Sequence, residues 1–128
     1  MCRLVTLFTN YGTSFHTAEI KKNHIENIIA SAPQCKQISA IMLFGSSLEE
    51  RCTNRSDIDI AIISNMSLNR LSQMKSFDKF MDCLYQYDME QEYDRLYFRS
   101  LEEIEEKKDT VPICRELTQK GKIIYRRK

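Results

Sequence analysis

The chain has 128 residues, enough for one domain with its own core, and its 42% hydrophobic and 29% charged residues exclude a disordered or low-complexity protein. A formal net charge of +1 gives no overall basic field, so the composition does not indicate a dedicated nucleic-acid-binding protein. Five cysteines without a C-x-x-C pair and two histidines exclude the usual patterns of a disulfide framework or a zinc site.

The first 16 residues have the least definite pattern. Residues 2–8 fit either a short strand or the start of a helix, and residues 10–14 have the composition of a turn. The apolar run Leu4–Phe8 is too short for a signal peptide or a membrane span, so we expect a soluble, cytoplasmic protein. Because no linker or repeat divides the remainder, we expect a single domain over residues 1–128.

The next segments predict a helix followed by a buried strand. Thr17 is a suitable N-cap, and the apolar spacing that follows predicts a helix that runs to about Ser31. Residues 38–44 are short, apolar and bounded by chain breakers, which predicts a buried strand. A short helix is expected over residues 48–52.

A second strand is predicted over residues 57–63. Its alternation places Asp57, Asp59 and Ala61 on one face of the strand. Residues 67–86 then carry apolar side chains at helical spacing, which predicts one long helix.

The last third of the chain predicts a strand over residues 92–98, a helix over 111–120 with Gly121 at its C-cap, and an edge strand over 123–125. Together the predicted elements indicate the α+β (α/β) class, with a small mixed β-sheet and helices packed on it.

The segment that carries chemistry begins with Gly45-Ser46 and, after ten further residues, contains Asp57-Ile58-Asp59. Glycine lets backbone N–H groups and a serine hydroxyl approach a phosphate closely. Two aspartates at positions i and i+2 of a strand point the same way at a fixed spacing. This arrangement suits two Mg²⁺ ions about 4 Å apart in a phosphoryl-type displacement.

A third carboxylate on a neighbouring strand would complete such a metal site. Asp94 is the best candidate because it opens a later strand with apolar surroundings. Strand boundaries carry errors of a few residues, so Asp88, Glu90 and Glu92 remain alternatives.

The Gly-Ser pair and the Asp-x-Asp pair at this spacing resemble the signature of the DNA polymerase beta-like nucleotidyltransferase superfamily. The closest resemblance is to its stand-alone minimal nucleotidyltransferases, some of which are partners of HEPN proteins in toxin–antitoxin pairs. The resemblance extends over roughly residues 20–125, since residues 92–97 are similar to the third-carboxylate strand and residues 117–125 to the closing helix and Gly-x-x-x-Tyr tail.

This resemblance implies a nucleotidyltransferase fold and a defined set of roles. Asp57, Asp59 and Asp94 would hold two Mg²⁺ ions as the catalytic carboxylates, while Gly45, Ser46 and Ser47 would bind the phosphates of a nucleoside triphosphate, usually ATP. A nucleoside monophosphate would move to an acceptor hydroxyl, and pyrophosphate would leave.

The sequence departs from the family pattern just after the Gly-Ser pair. Many minimal members have a small residue and then an arginine there, whereas this chain has Leu48 and Glu49, with Arg51 and Arg55 later. The source of positive charge for the phosphates is therefore open.

The alternative function is a non-catalytic, antitoxin-like protein that binds a small helical HEPN toxin. A domain of this size exposes sheet edges and apolar faces that a partner protein, or another copy of the chain, would cover. A membrane partner is not expected, and the net charge does not indicate a nucleic-acid acceptor.

Overall fold

An antiparallel hairpin opens the chain. The computed structural model describes residues 1–127, and in it β1 (Leu4–Phe8) pairs with β2 (Ser14–Ala18) as a separate two-stranded sheet. Residues 2–8 thus contain a strand rather than a helix. The predicted helix start at Thr17 is wrong, because Thr17 lies in β2, where its side chain is fully buried and hydrogen-bonded.

The first α-helix begins later than predicted and ends where expected. A 3₁₀ turn over Glu19–Lys21 leads into α1 (Lys22–Ser31), and a second 3₁₀ turn that contains Pro33 follows it. Ile25 and Ile28 are fully buried, as the apolar spacing predicts.

A four-stranded mixed sheet forms the centre of the protein. Its strands are β3 (Ala40–Phe44), β4 (Ile58–Ile63), β5 (Tyr93–Phe98) and β6 (Lys122–Arg126), in the order β5-β4-β3-β6. The β4 and β5 strands run parallel, whereas the β3–β4 and β3–β6 pairs are antiparallel. The α+β class and the mixed sheet are therefore confirmed.

Helices cover both faces of this sheet. Ile58, Ile60 and Ile62 of β4 pack into a core with α1 and α3 (Lys75–Tyr87). Ala61 and Ile63 face the other way and pack against α4 (Leu101–Glu106) and α5 (Pro112–Lys120). Alternate residues of β4 thus enter different cores, so Asp59 lies on the α4/α5 face.

Two helix predictions require correction. The apolar pattern over residues 67–86 is divided between α2 (Leu68–Leu71) and α3, because Met74, the residue before α3, takes an extended backbone conformation that interrupts the helical path. The helix expected over residues 48–52 is absent there. The chain forms a 3₁₀ turn over Gly45–Leu48 instead, because the backbone at Glu49 is extended.

Residues 1–127 contain no helix with the length and apolar character that crossing a membrane requires. All five cysteines are free thiols.

Candidate active site

The Gly45 turn lies directly beside the Asp59 side chain. Phe44, the last residue of β3, pairs with Asp59 of β4, so the turn that follows β3 begins next to this carboxylate. Gly45 has a φ of +75°, and a Cβ added there would lie 3.0 Å from Cγ of Asp59 and closer still to Oδ2. Glycine is therefore required both by the backbone conformation and by the contact with Asp59.

Asp59 and Asp94 lie directly opposite each other on the parallel strands β4 and β5. Because this register places their side chains on the same face, the two carboxylates are neighbours. Of the alternatives to Asp94, Asp88 accepts a hydrogen bond from His24 at 2.8 Å, and Glu90 and Glu92 precede β5. The register thus places Asp94 next to the Asp-x-Asp pair, although its role as a metal ligand stays a prediction.

Negative charge accumulates around Asp59. Burial, together with the nearby carboxylates of Asp94, Asp57 and Glu116, raises the pKa of Asp59 to about 6, while Arg51 acts in the opposite direction. A bound cation would stabilise the ionised form of Asp59, because it would offset the negative charge of these neighbours. The oxygen ligands are of the kind that Mg²⁺ prefers, so the donor set fits a hard divalent cation.

The three aspartates differ in exposure. Asp59 is half-buried, whereas Asp57, immediately before β4, and Asp94 are exposed. Within residues 1–127, no three His, Cys, Asp or Glu side chains are already arranged to hold a metal ion. Because Asp57 and Asp94 are exposed, their side chains are free to turn towards Asp59 without displacing packed groups.

The two serines of the turn have different environments. Ser46 is half-buried, but the Ser47 side chain is fully buried, and its hydroxyl has no hydrogen-bond partner within the described residues. The backbone carbonyl of Ser47 accepts a hydrogen bond from the Thr17 hydroxyl at 2.8 Å. Ser46 is therefore the serine whose hydroxyl is open to a ligand, while Ser47 anchors the turn to the N-terminal hairpin.

A cleft of about 720 Å³ opens beside Gly45. The β2 strand forms one wall of it, the residues after the Gly45 turn form a second, and the end of α5 forms a third. Its lining residues are Ser14, Phe15, His16, Gly45, Leu48, Glu49, Arg51, Glu116, Lys120 and Lys122. We refer to this cavity as the Gly45 cleft.

The Gly45 cleft contains the positive charge that the sequence pattern left open. Arg51, Lys120 and Lys122 line it, and Arg51 lies near enough to Asp59 to lower the pKa of that carboxyl. Arg51 also donates two hydrogen bonds to Glu49, at 2.9 and 3.1 Å. Arg55, the other arginine considered, lines a different cavity.

Sequence reasoning missed Glu116, Lys120 and Lys122 as residues of this site. They come from α5 and β6, and only the packing of α5 against the sheet brings them to the cleft. The available signal was the pair of lysines on either side of the helix-ending Gly121.

The family model described as "Polymerase beta, Nucleotidyltransferase" matches residues 26–128. A comparison with curated proteins gives no match. The matched region contains the Gly45 turn and all three aspartates, whereas the hairpin and the 3₁₀ turn after it precede the match. Since the match extends over most of the sequence, the chain belongs to the polymerase beta nucleotidyltransferase family.

Proposed function

We propose that this protein is a metal-dependent nucleotidyltransferase that moves AMP from ATP to an acceptor hydroxyl. The observation that carries the proposal is the position of Asp59, which faces Asp94 across two parallel strands and contacts the Gly45 turn. Membership of the family supports nucleotidyl transfer as the reaction type.

In the proposed reaction the acceptor oxygen forms a bond to the α-phosphorus of ATP, and the bond between the α- and β-phosphates breaks. The acceptor proton passes to Asp94, which is exposed and therefore accessible to a substrate hydroxyl. Bound Mg²⁺ would stabilise the negative charge that develops on the phosphates. Asp57, Asp59 and Asp94 would hold that cation, because they are the carboxylates grouped at this point of the sheet.

The phosphates would lie between the Gly45 turn and the cationic residues of the cleft. The glycine at position 45 permits close approach to the backbone, and the Ser46 hydroxyl offers a donor. Arg51, Lys120 and Lys122 supply positive charge on the opposite walls of the cleft. They would take the role of the arginine that the family pattern places nearer the Gly-Ser pair.

The position of the label in ATP tests the reaction type. Protein, Mg²⁺ and cell extract are incubated with ATP labelled at the α-phosphate or, separately, at the γ-phosphate. We expect label from the α-phosphate to become attached to an acceptor and label from the γ-phosphate to leave as pyrophosphate. Transfer of the γ-label instead would contradict nucleotidyl transfer and indicate a kinase.

A pair of double variants tests the site. Asp57→Asn with Asp59→Asn should abolish both the transfer of label and the rise in melting temperature that Mg²⁺-ATP causes. Asp82→Asn with Asp109→Asn removes the same charge from exposed positions outside the site and should leave both intact. If the Asp57, Asp59 double variant still transfers label, these carboxylates are not the metal ligands.

A further inference from the structure

One lysine ammonium group lies inside the protein. Lys21 ends the 3₁₀ turn after β2, and only 1% of the residue is exposed. Burial lowers the pKa of Lys21, while the nearby Cys52, Asp88 and Asp57 groups act in the opposite direction. A lysine is almost never buried to this extent without partners, because desolvating its charge is costly.

The ammonium group has two oxygen partners in different segments. Nζ of Lys21 donates to Oε1 of Gln91 at 2.6 Å and to the backbone carbonyl of Asn54 at 3.2 Å. Gln91 is itself only 5% exposed. Its Nε2 donates to the carbonyls of Ser56 at 3.1 Å and Glu92 at 2.8 Å.

This network joins the two segments that lead into the aspartates. Asn54 and Ser56 belong to the loop immediately before Asp57, and Gln91 and Glu92 immediately precede β5, which carries Asp94. The amide N–H of Ile58 adds a direct backbone bond to the carbonyl of Glu92 at 3.1 Å. The network thus clamps together the starts of two parallel strands that no short turn connects.

We propose that Lys21 is a positioning residue, which through Gln91 fixes the starts of β4 and β5 so that Asp57 and Asp94 can converge on the same ligand as Asp59. The proposal rests on the proposed function, because it assigns Lys21 to the support of that site. Lys21 itself does not take part in the chemistry. It also lies outside residues 26–128, the part of the chain that the family model matches.

A residue that merely stabilised the fold would affect every function through global unfolding alone. Removal of a positioning residue must in addition loosen two specific segments and weaken cation binding in the protein that remains folded. Groups that hydrogen-bond directly to metal ligands typically change metal affinity by about 10–100-fold when they are removed, and Lys21, which acts through the strands that carry the ligands, should have an effect near the lower end of that range.

The test uses Lys21→Met, which keeps the length of the side chain and removes its charge and donors. Hydrogen–deuterium exchange of the ligand-free protein should increase in peptides covering residues 53–59 and 91–96. Binding of Mn²⁺ in the presence of ATP, followed by electron paramagnetic resonance, should weaken by about tenfold or more.

The matched control is Ile28→Ala in α1, a fully buried core position outside the network. It should lower the melting temperature while exchange in the two segments and Mn²⁺ affinity stay close to those of the wild type. If Lys21→Met does not fold, Gln91→Met provides the same test, because Gln91 makes both onward hydrogen bonds. Where both variants fold, the double variant should weaken Mn²⁺ binding little more than either single one, since the two residues act as a unit.

Unchanged exchange in the two segments, or wild-type Mn²⁺ affinity despite faster exchange, would overturn the positioning role. If the wild-type protein itself does not bind Mn²⁺ with ATP, the proposed function fails. In that case, hydrogen–deuterium exchange of the Lys21→Met variant still tests whether Lys21 holds the two segments together.

Discussion

Asp59 and Asp94 lie directly opposite each other on the parallel strands β4 and β5, with their side chains on the same face of the sheet. The partial burial of Asp59, together with repulsion from Asp94 and the other nearby carboxylates, raises the pKa of Asp59 to about 6. A site arranged in this way is less stable when empty and ionised than when its charge is balanced.

In the absence of divalent cations, Asp59→Asn should stabilise the protein above pH 6. The folded state binds the Asp59 proton more tightly than the unfolded state, so this residue lowers stability as the pH rises from about 4 to 6. With the shift discounted for partial exposure, we expect a gain of about 1–2 kcal/mol at pH 7.5 and little change at pH 4. Urea unfolding in the presence of EDTA at several pH values measures this gain in the free energy of unfolding.

Asp82→Asn, at an exposed position of α3, is the control for this experiment and should show no comparable pH-dependent gain. A gain for Asp59→Asn that is the same at pH 4 and pH 7.5 would mean that charge repulsion is not its cause.

Gly45→Ala should abolish the binding of Mg²⁺-ATP with only a moderate loss of stability. The left-handed backbone should cost about 1–2 kcal/mol. The added Cβ would overlap the carboxylate of Asp59, and because this is the end of a side chain, Asp59 can turn away. The damage should therefore appear mainly in the Mg²⁺-ATP-induced rise in melting temperature, measured by calorimetry.

Gly12→Ala is a matched control, because Gly12 has a φ of +93° but no atom within 4 Å of an added Cβ. This variant should lose similar stability and still respond to Mg²⁺-ATP. Equal loss of the response in both variants would argue against a special contact between Gly45 and Asp59.

Removing a positive charge from the Gly45 cleft should weaken ATP binding, and removing a negative charge should strengthen it. Arg51→Ala should weaken ATP binding by about fivefold, which corresponds to about 1 kcal/mol for a charged hydrogen bond that is partly screened. Glu49→Gln should tighten binding, because it removes the negative charge that attracts Arg51 and leaves one acceptor oxygen for the two hydrogen bonds that Arg51 donates. Calorimetric titration at two salt concentrations measures both, and the differences should shrink in high salt.

Lys79→Ala on the exposed side of α3 is the control for the cleft variants and should leave ATP affinity unchanged. Weaker binding for Glu49→Gln would show that the carboxylate supports the ligand rather than competing for Arg51.

Thr17→Val should destabilise the protein by about 1–2 kcal/mol and lower catalytic turnover. Valine keeps the shape of threonine but leaves the buried carbonyl of Ser47 without its donor. The Gly45 turn would then lose its attachment to β2. Urea unfolding and steady-state kinetics with ATP measure the two effects.

Thr118→Val is the comparison, since the Thr118 hydroxyl donates to the Cys114 carbonyl one turn earlier within α5. It should have a smaller effect on stability and none on turnover. A larger loss of turnover for Thr118→Val than for Thr17→Val would contradict the proposed role of the hairpin.

The sequence predicted the features that depend on local pattern. The apolar run before Gly45 identified β3, and the alternation around Asp59 identified β4 and the face of its carboxylate. Asp94 was predicted from the strand that follows it. These residues could be found because strand alternation and turn chemistry act over only a few neighbouring positions.

Long-range contacts decided the structural features that the local sequence pattern did not predict. Thr17 is a residue type common at helix N-caps, yet it lies in β2, where it pairs with Val5 of β1 and its hydroxyl donates to the carbonyl of Ser47, 30 residues away. The lysines of the Gly45 cleft lie near the Gly45 turn only because α5 packs on the face of the sheet that carries Asp59. Lys21 gives no local sign of burial, and its partners Asn54 and Gln91 follow 33 and 70 residues later.

The sequence by itself determined the chemistry available to the protein, which is a glycine turn and three aspartates in a recognisable order. Only the tertiary structure decided which cations line the Gly45 cleft and which lysine is buried between the segments that lead into β4 and β5. The physical reason is that charge and hydrogen bonding depend on distance in space, whereas sequence patterns record only distance along the chain.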